Sequence, residues 1–407
     1  MKITVVNAHW NNRGDEAAHR PLWVELQKKY PGCHITVLFK DRNPVTWFPD
    51  MPGMDYQSCQ FKATGQEIWR SVMTGGQHGS ETNLNMMVRI LKDSDLIVYP
   101  PGGSVINDRF FWSKQLEYLT PFLCARVYRV PMVVCAPSMG PYDFEPRRLV
   151  RRKLLQVPKL FCVREDISRQ YLETIGLGEK VEVTMDLAFM DEVDAADAER
   201  QLTAYPELTA FLSSHSRVVG MTISDFKWHV KLGKDAELLN RIEMSARQMI
   251  ASLTERGYGV LLIPQLFGNQ NDYDYLQTFV AEGVHVMSDD PDTYVQQHVI
   301  SKLHALIGMR YHSNIFAAKM GTPFVAVVYE EKMGGFLDLA GLSDYGLPLQ
   351  DISFDALDEK FQSLELRYEN VKDRLKKGLP EWRMRARRTV ELLPDVDAKK
   401  NKFFPLI

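Results

Sequence analysis

The chain has 407 residues, 45% of them apolar and 25% charged, and Lys+Arg 49 against Asp+Glu 52 leave a net charge of −3. That length exceeds one ordinary core and implies two domains of roughly 100 to 200 residues each. The near-balanced charge excludes the global basic surface that nucleic acid selects, so partners must be sought in local sites.

Short β-rich runs bounded by Gly, Pro, Asn or Asp alternate with longer stretches of helical period, the pattern of parallel α/β structure. In chain order, strands are predicted at Ile3-Val6, His34-Leu38, Leu96-Tyr99, Met132-Cys135, Leu160-Val163 and Val181-Thr184. A second set follows at Val218-Met221, Val260-Ile263, Val284-Met287, Ala305-Ile307 and Phe324-Val328. Residues 51 to 90, rich in Met, Gln and Gly, read as a long loop with helical pieces. Between the two sets, Asp191 to Arg200 is acidic and small, with little to bury, which places a domain boundary near residues 190 to 215. The expected organisation is an α/β fold of two doubly wound domains, residues 1–200 and 210–353, followed by a helical tail over 354–407.

Five cysteines, Cys33, Cys59, Cys124, Cys135 and Cys162, form neither a CxxC pair nor a small secreted framework, and reduced thiols in a cytoplasm are expected. No secretory signal follows Met1-Lys2. The most apolar region, Tyr118 to Pro137, is broken by Arg126 and Arg129 and is too short for a clean membrane span.

In doubly wound sheets, ligands collect outside the carboxyl ends of the strands. The segments expected there include Asn12-Arg13-Gly14-Asp15-Glu16, Gly102-Gly103-Ser104, Ser138-Met139-Gly140-Pro141 and Arg164-Glu165. Each has a plain structural reading as well. Gly-Gly-Ser is ordinary turn chemistry, Asp15 can be a helix cap, and Arg164-Glu165 can be an ion pair. The stretch Ala305 to Lys332 is more constrained. If Ala305-Ile307 and Phe324-Val328 flank the helix Ser313-Met320, ended by Gly321, then Arg310, His312 and Lys332 converge on one sheet edge. Such a cluster suits a small ligand with more than one negative charge: Arg grips it in bidentate fashion, Lys adds a point charge, and His moves a proton near neutrality. There is no GxxxxGK[ST], no GxGxxG and no His/Cys spacing for zinc, so no metal and no cofactor is expected.

The ordered motifs give the chain a family resemblance. Asn12-Arg13-Gly14-Asp15-Glu16-Ala17, Gly102-Gly103-Ser104, Ser138-Met139-Gly140-Pro141, Arg164-Glu165 with Tyr171-Leu172, Asp186-Leu187-Ala188, Arg310-Tyr311-His312-Ser313 and Tyr329-Glu330-Glu331-Lys332 span residues 12 to 332. In this it resembles the polysaccharide pyruvyl transferases, the ketal-pyruvyl transferases of bacterial surface glycans. The resemblance implies a GT-B-like pair of Rossmann-like domains, with the acceptor on the N-terminal side and phosphoenolpyruvate as donor on the C-terminal side. The acceptor would be a sugar of a surface polysaccharide or its lipid-linked precursor. It further implies that Arg164, His312 and Lys332 bind phosphoenolpyruvate and take part in its chemistry. Beyond the resemblance, the chemistry of the transfer leads us to expect His312 as the acid at carbon, Arg310 as part of the donor clamp, and Asp15, or as the alternative Glu16, as the base for an acceptor hydroxyl. Asn12, Glu16, Gly102, Gly103, Ser104 and Ser138 complete the substrate-binding set. Pro101 stands where the family commonly has a third glycine, and Ala136-Pro137 replaces Gly-Gln or Gly-His before Ser138.

Two alternatives remain at this point: a nucleotide-sugar glycosyltransferase of the same fold, and a silent glycan-binding protein. The basic run Arg147-Arg148 with Arg151-Arg152-Lys153 reads either as a solvated helix face or as a peripheral contact with the inner membrane surface.

Overall fold

The computed structural model of the chain describes residues 1–40, 51–103, 106–108, 111–227, 229, 231–267, 271–288 and 291–396. They form two compact units. Unit 1 takes Met1–Trp10, Ala18–Met190 and the chain from Met384 onward, while unit 2 takes Asn11–Ala17 and Asp191–Arg383.

Among the described residues, unit 1 holds a seven-stranded sheet: β1 (Lys2–Ala8), β2 (His34–Phe39), β3 (Met54–Ser58), β4 (Leu96–Tyr99), β5 (Met132–Val134), β6 (Leu160–Val163) and β7 (Val181–Val183). The order is β3-β2-β1-β4-β5-β6-β7 and every pairing is parallel. Helices cover both faces of such a sheet, so its central strands are largely apolar, and Val5, Val6, Ile97, Val98, Val133 and Val134 are all fully buried. Strand order reverses between β1 and β4, which marks the switch point where doubly wound sheets bind ligands.

Unit 2 repeats the plan with β8 (Val218–Thr222), β9 (Gly259–Leu262), β10 (Val284–Val286), β11 (Ala305–Gly308), β12 (Phe324–Val328) and β13 (Gly346–Pro348). Their order is β10-β9-β8-β11-β12-β13, again parallel. Here the switch point lies between β8 and β11, where Gly308 pairs with Thr222.

Besides the short edge strand β13, the main departures from the sequence reading are three. Residues 51 to 90 are not mainly loop: they carry edge strand β3 and the helices Gly65–Met73 and Asn83–Lys92, started by side-chain caps from Thr64 and Thr82. The half-exposed Met-Asp-Tyr-Gln-Ser of β3 lacks the apolar run that announces a buried strand. Residues Asn11–Ala17 belong to unit 2 because backbone ties hold them there. Arg13 N–H donates to the Gln265 carbonyl at 3.1 Å, Phe267 N–H donates to the Asn11 carbonyl at 2.8 Å, and Asn12 bridges Leu266. The tail, finally, is shared. The helix Phe354–Leu366 lies in unit 2, and the helix Tyr368–Glu391 passes into unit 1 after Arg383. Within unit 1, Thr389 donates its hydroxyl to that of Thr184 at 2.8 Å, and Tyr30 donates to the Pro394 carbonyl at 2.6 Å. No helix of the described residues is long and apolar enough to cross a membrane.

Candidate active site

In unit 2 the carboxyl ends of β8 and β11 are tied together by one threonine. Thr222 Oγ1 accepts from the N–H groups of Met309 at 2.9 Å and Arg310 at 3.1 Å, and lies 3.0 Å from Ser313 Oγ. Ser313 in turn donates to the Arg310 carbonyl at 2.7 Å. The helix Tyr311–Met320 therefore starts immediately at the switch point, two residues earlier than the sequence suggests, and ends at Gly321 in a left-handed cap. Its second residue is His312, so the imidazole stands at a helix N-terminus, where the backbone dipole favours an anion.

The three cations read from the sequence do share this edge, but each has its own setting. Arg310 is buried and its Nη2 donates to Asp272 Oδ1. Asp272 Oδ2 accepts from the N–H groups of Gln265 at 3.0 Å and Leu266 at 2.9 Å. Burial works against the Arg310 charge, yet Asp272 and Tyr329 beside it hold the guanidinium pKa above its ordinary value. Tyr329 is pushed up, first by desolvation and then by neighbouring Glu330, while Arg310 opposes the shift. Lys332 sits 2.5 Å from Glu330, with its ammonium 5.3 Å from the centre of the Tyr311 ring. Tyr311 packs edge-on to His312, ring centres 5.0 Å apart. The cluster is therefore not three bare cations: Asp272 and Glu330 counter two of them. Sequence reasoning missed Asp272. Its one signal, an acid after β9 on the same sheet edge, is separated from β9 by a loop of no recognisable pattern.

The N-terminal motif joins this cluster. Asn12 Oδ1 accepts from Gly14 N–H at 2.8 Å and so begins the helix Arg13–Lys29. Gly14 lies against His312 so closely that a Cβ there would fall 1.8 Å from His312 Cγ. Asp15 follows, half-buried, with no hydrogen bond or ion pair from its side chain among the described residues. Glu16 differs from its expected role as a substrate contact. It is 0% exposed, and its carboxylate receives Arg13 Nη1 at 2.7 Å in a pair with both side chains fully buried. Arg13 also lies over the Phe267 ring at 4.4 Å, and its carbonyl accepts from Thr293.

Unit 1 gathers the remaining motifs at the tips of β4 to β7. Arg164 is 3% exposed; its Nε donates to Ser138 Oγ at 2.8 Å and its Nη1 to Asp186 Oδ2 at 2.7 Å, with Glu165 at 3.3 Å. Ser138 N–H donates to the Gly102 carbonyl at 3.1 Å, and Ser168 links Met139 N–H to Glu165. Gly140, at φ +78°, lies where a Cβ would meet Tyr171 at 2.5 Å. Asp186 and Glu165 counter the charge of Arg164 within the unit, so the ion-pair reading of Arg164-Glu165 is realised beside a second carboxylate. Gly102 and Gly103 are partly exposed, and Ser104 lies outside the described residues. His19 was not singled out in the sequence; it is buried and reaches the Pro101 carbonyl at 2.9 Å, beside the Gly-Gly turn. Among the described residues no group of three or more His, Cys, Asp or Glu side chains could hold a metal ion.

Residues 12–331 match the polysaccharide pyruvyl transferase family. The chain belongs to that family. It is 23% identical to the amylovoran biosynthesis protein AmsJ of Erwinia amylovora, covering 94% of this chain and 97% of the relative. Among solved structures, the UDP-GlcNAc 2-epimerase of Neisseria meningitidis superposes with a TM-score of 0.58 at 13% identity, over 96% of this chain and 99% of the epimerase. A glycosyltransferase of Rickettsia africae gives 0.52 at 11%, over 96% and 94%. These likenesses establish the fold, a GT-B-like pair of Rossmann-like domains. Within the family frame, the motifs read in the sequence fall into two contact sets. In unit 2 the Asn12–Glu16 motif meets the Arg310–Ser313 motif through Gly14 and His312, and in unit 1 Gly102, Ser138, Gly140, Arg164-Glu165, Tyr171 and Asp186 interlock.

Proposed function

We propose that the protein transfers the pyruvyl group of phosphoenolpyruvate to two hydroxyls of a sugar in a surface polysaccharide or its precursor, forming a ketal and releasing phosphate. Family membership and the amylovoran relative support the pyruvyl transferase reading. The observation that carries the donor assignment is the grouping of Arg310, His312 and Lys332 around Tyr311 at the β8/β11 switch point.

His312 protonates the vinyl carbon of phosphoenolpyruvate. One acceptor hydroxyl adds to C2, the C2–O bond to phosphate breaks, and the second hydroxyl closes the ketal; of the two hydroxyl protons, one restores His312 and the other leaves on the phosphate. Lys332 swings from Glu330 to the donor phosphate and supplies charge stabilisation as it departs. Arg310, fixed by Asp272 and Tyr329, orients the donor carboxylate. Asp15, the residue after Gly14, takes a hydroxyl proton. Arg164 braces the turns of unit 1. No cofactor is required.

The test incubates the protein with phosphoenolpyruvate and candidate pyranosides, follows phosphate release, and weighs the product for the gain of pyruvic acid less one water. Nucleotide sugars serve as the control donors. Release of phosphate without a ketal product, or turnover with nucleotide sugars alone, would sink the proposal.

A further inference from the structure

The helix Glu145–Leu155, sequence EPRRLVRRKLL, turns Arg151 and Leu155 inward. Outward it presents Leu149, 69% exposed, and Val150, 42% exposed, with Arg152 and Lys153 exposed beside them. Phe144, at the start of the helix, is 49% exposed, and Phe111 is 76% exposed. These apolar side chains stand on a braced platform. Arg147 lies over the rings of Phe144 at 4.8 Å and Trp112 at 5.3 Å, and Asp108 accepts from Phe144 N–H at 2.8 Å and Arg151 at 2.6 Å. Arg148 pairs with Glu145, and Arg147 stands 3.8 Å from Asp108. By contrast, Arg152, Lys153 and Arg126, whose Nη1 donates to the Lys153 carbonyl at 3.0 Å, have no carboxylate partner among the described residues.

We propose that this face docks on an anionic phospholipid bilayer. Phe111, Phe144, Leu149 and Val150 enter the boundary between headgroups and acyl chains, while Arg126, Arg152 and Lys153 meet lipid phosphates. Exposed apolar side chains among uncompensated cations fit a surface that is both apolar and negative. A symmetric contact with a second copy would set the same cations against one another. The docking goes beyond pyruvyl transfer and does not depend on it.

The experiment sediments the full chain with vesicles of phosphatidylcholine alone and of phosphatidylcholine mixed with phosphatidylglycerol, at low and high salt. Binding is expected only to the mixed vesicles. The R152E/K153E variant is expected to lose at least about tenfold in partitioning, and L149S/V150S to lose a few-fold at every salt concentration. All four positions are exposed, so the variants are expected to melt as the parent does. Equal binding to neutral vesicles, no binding, or undiminished binding of either variant overturns the proposal. So does a dimer in sedimentation equilibrium that L149S/V150S dissociates.

Discussion

Gly14 and His312, distant in sequence, are in direct contact: a Cβ on Gly14 would lie 1.9 Å from the imidazole Nδ1. The absence of a side chain there lets the start of the helix Arg13–Lys29 settle on the ring. We expect Gly14→Ala to destabilise the fold by about 1 to 3 kcal/mol through overpacking, and to depress turnover by displacing the imidazole. In Gly14→Ala/His312→Gly both the ring and the Cβ that would lie 2.3 Å from the added methyl are gone, so the double variant is expected to be more stable than the sum of its singles. Denaturant unfolding of the four proteins measures this; strict additivity would remove the contact as an energetic fact.

Glu16 is a matter of stability before it is one of substrate. Removing it takes the Glu16 carboxylate from the buried Arg13 guanidinium, so Glu16→Ala is expected to cost about 3 to 5 kcal/mol. A residue that met substrate would behave otherwise, raising KM while leaving unfolding unchanged. Urea unfolding together with KM separates the two roles.

Much of the fold was legible because parallel strands buried on both faces are written as short apolar runs, and the units place those runs almost where the sequence puts them. What escaped was held by contacts the local sequence does not encode. Strand β3 is an edge strand of half-exposed residues, and β13 is only Gly-Leu-Pro. Asn11–Ala17 looks like a loop after β1, but its backbone bonds go to Gln265 and Phe267, far away in sequence and in the same unit 2. The cations at Arg310, His312 and Lys332 were readable as a cluster because one strand-helix-strand segment supplies all three. Asp272 and Glu330, which counter two of them, were not, since partnership across a sheet edge leaves no spacing to read. The Arg164-Glu165 pair was readable from adjacency, whereas the contacts of Arg164 with Ser138 and Asp186 were not.

Lys332 is expected to exchange Glu330 for donor phosphate, which makes Glu330 a competitor. Glu330→Gln removes that competition and is expected to tighten phosphoenolpyruvate binding by about two- to fivefold, the scale of a partly exposed ion pair. Lys332→Ala is expected to weaken it. Isothermal titration with phosphoenolpyruvate alone gives both values without turnover. Unchanged affinity in both variants would take Lys332 out of the donor site.

His312 as the acid at carbon predicts a loss of about 10² to 10⁴ in kcat for His312→Ala, with KM for phosphoenolpyruvate little altered. Arg164→Lys, by contrast, is expected to act through unit 1. It cannot keep the separate contacts to Ser138 and Asp186, so its loss should appear in the melting temperature, with donor affinity preserved. A melting curve and a donor titration on each variant distinguish chemistry from bracing. An Arg164→Lys protein of normal stability that no longer binds phosphoenolpyruvate would restore Arg164 to the donor site.

All five thiols are buried, and burial raises their pKa: Cys59 to about 11, and Cys124 and Cys162 to about 12. The native protein is therefore expected to resist iodoacetamide near neutrality and to react at all five positions once unfolded. The sign of the pH dependence follows from linkage. In the unfolded chain these thiols ionise near 9.0, while in the folded chain they keep their protons. Stability is full below pH 9.0 and falls as pH rises toward about 12, because each added unit favours the state that releases protons. Tyr128 and Tyr275, both raised to about 12 by burial, push the same way above pH 10.0. Denaturant midpoints taken across this range are expected to decline steadily, and Cys124→Ala, which removes one such group, is expected to flatten the decline. A midpoint that rises from pH 9 to 11 would show that the thiols are already ionised in the folded protein.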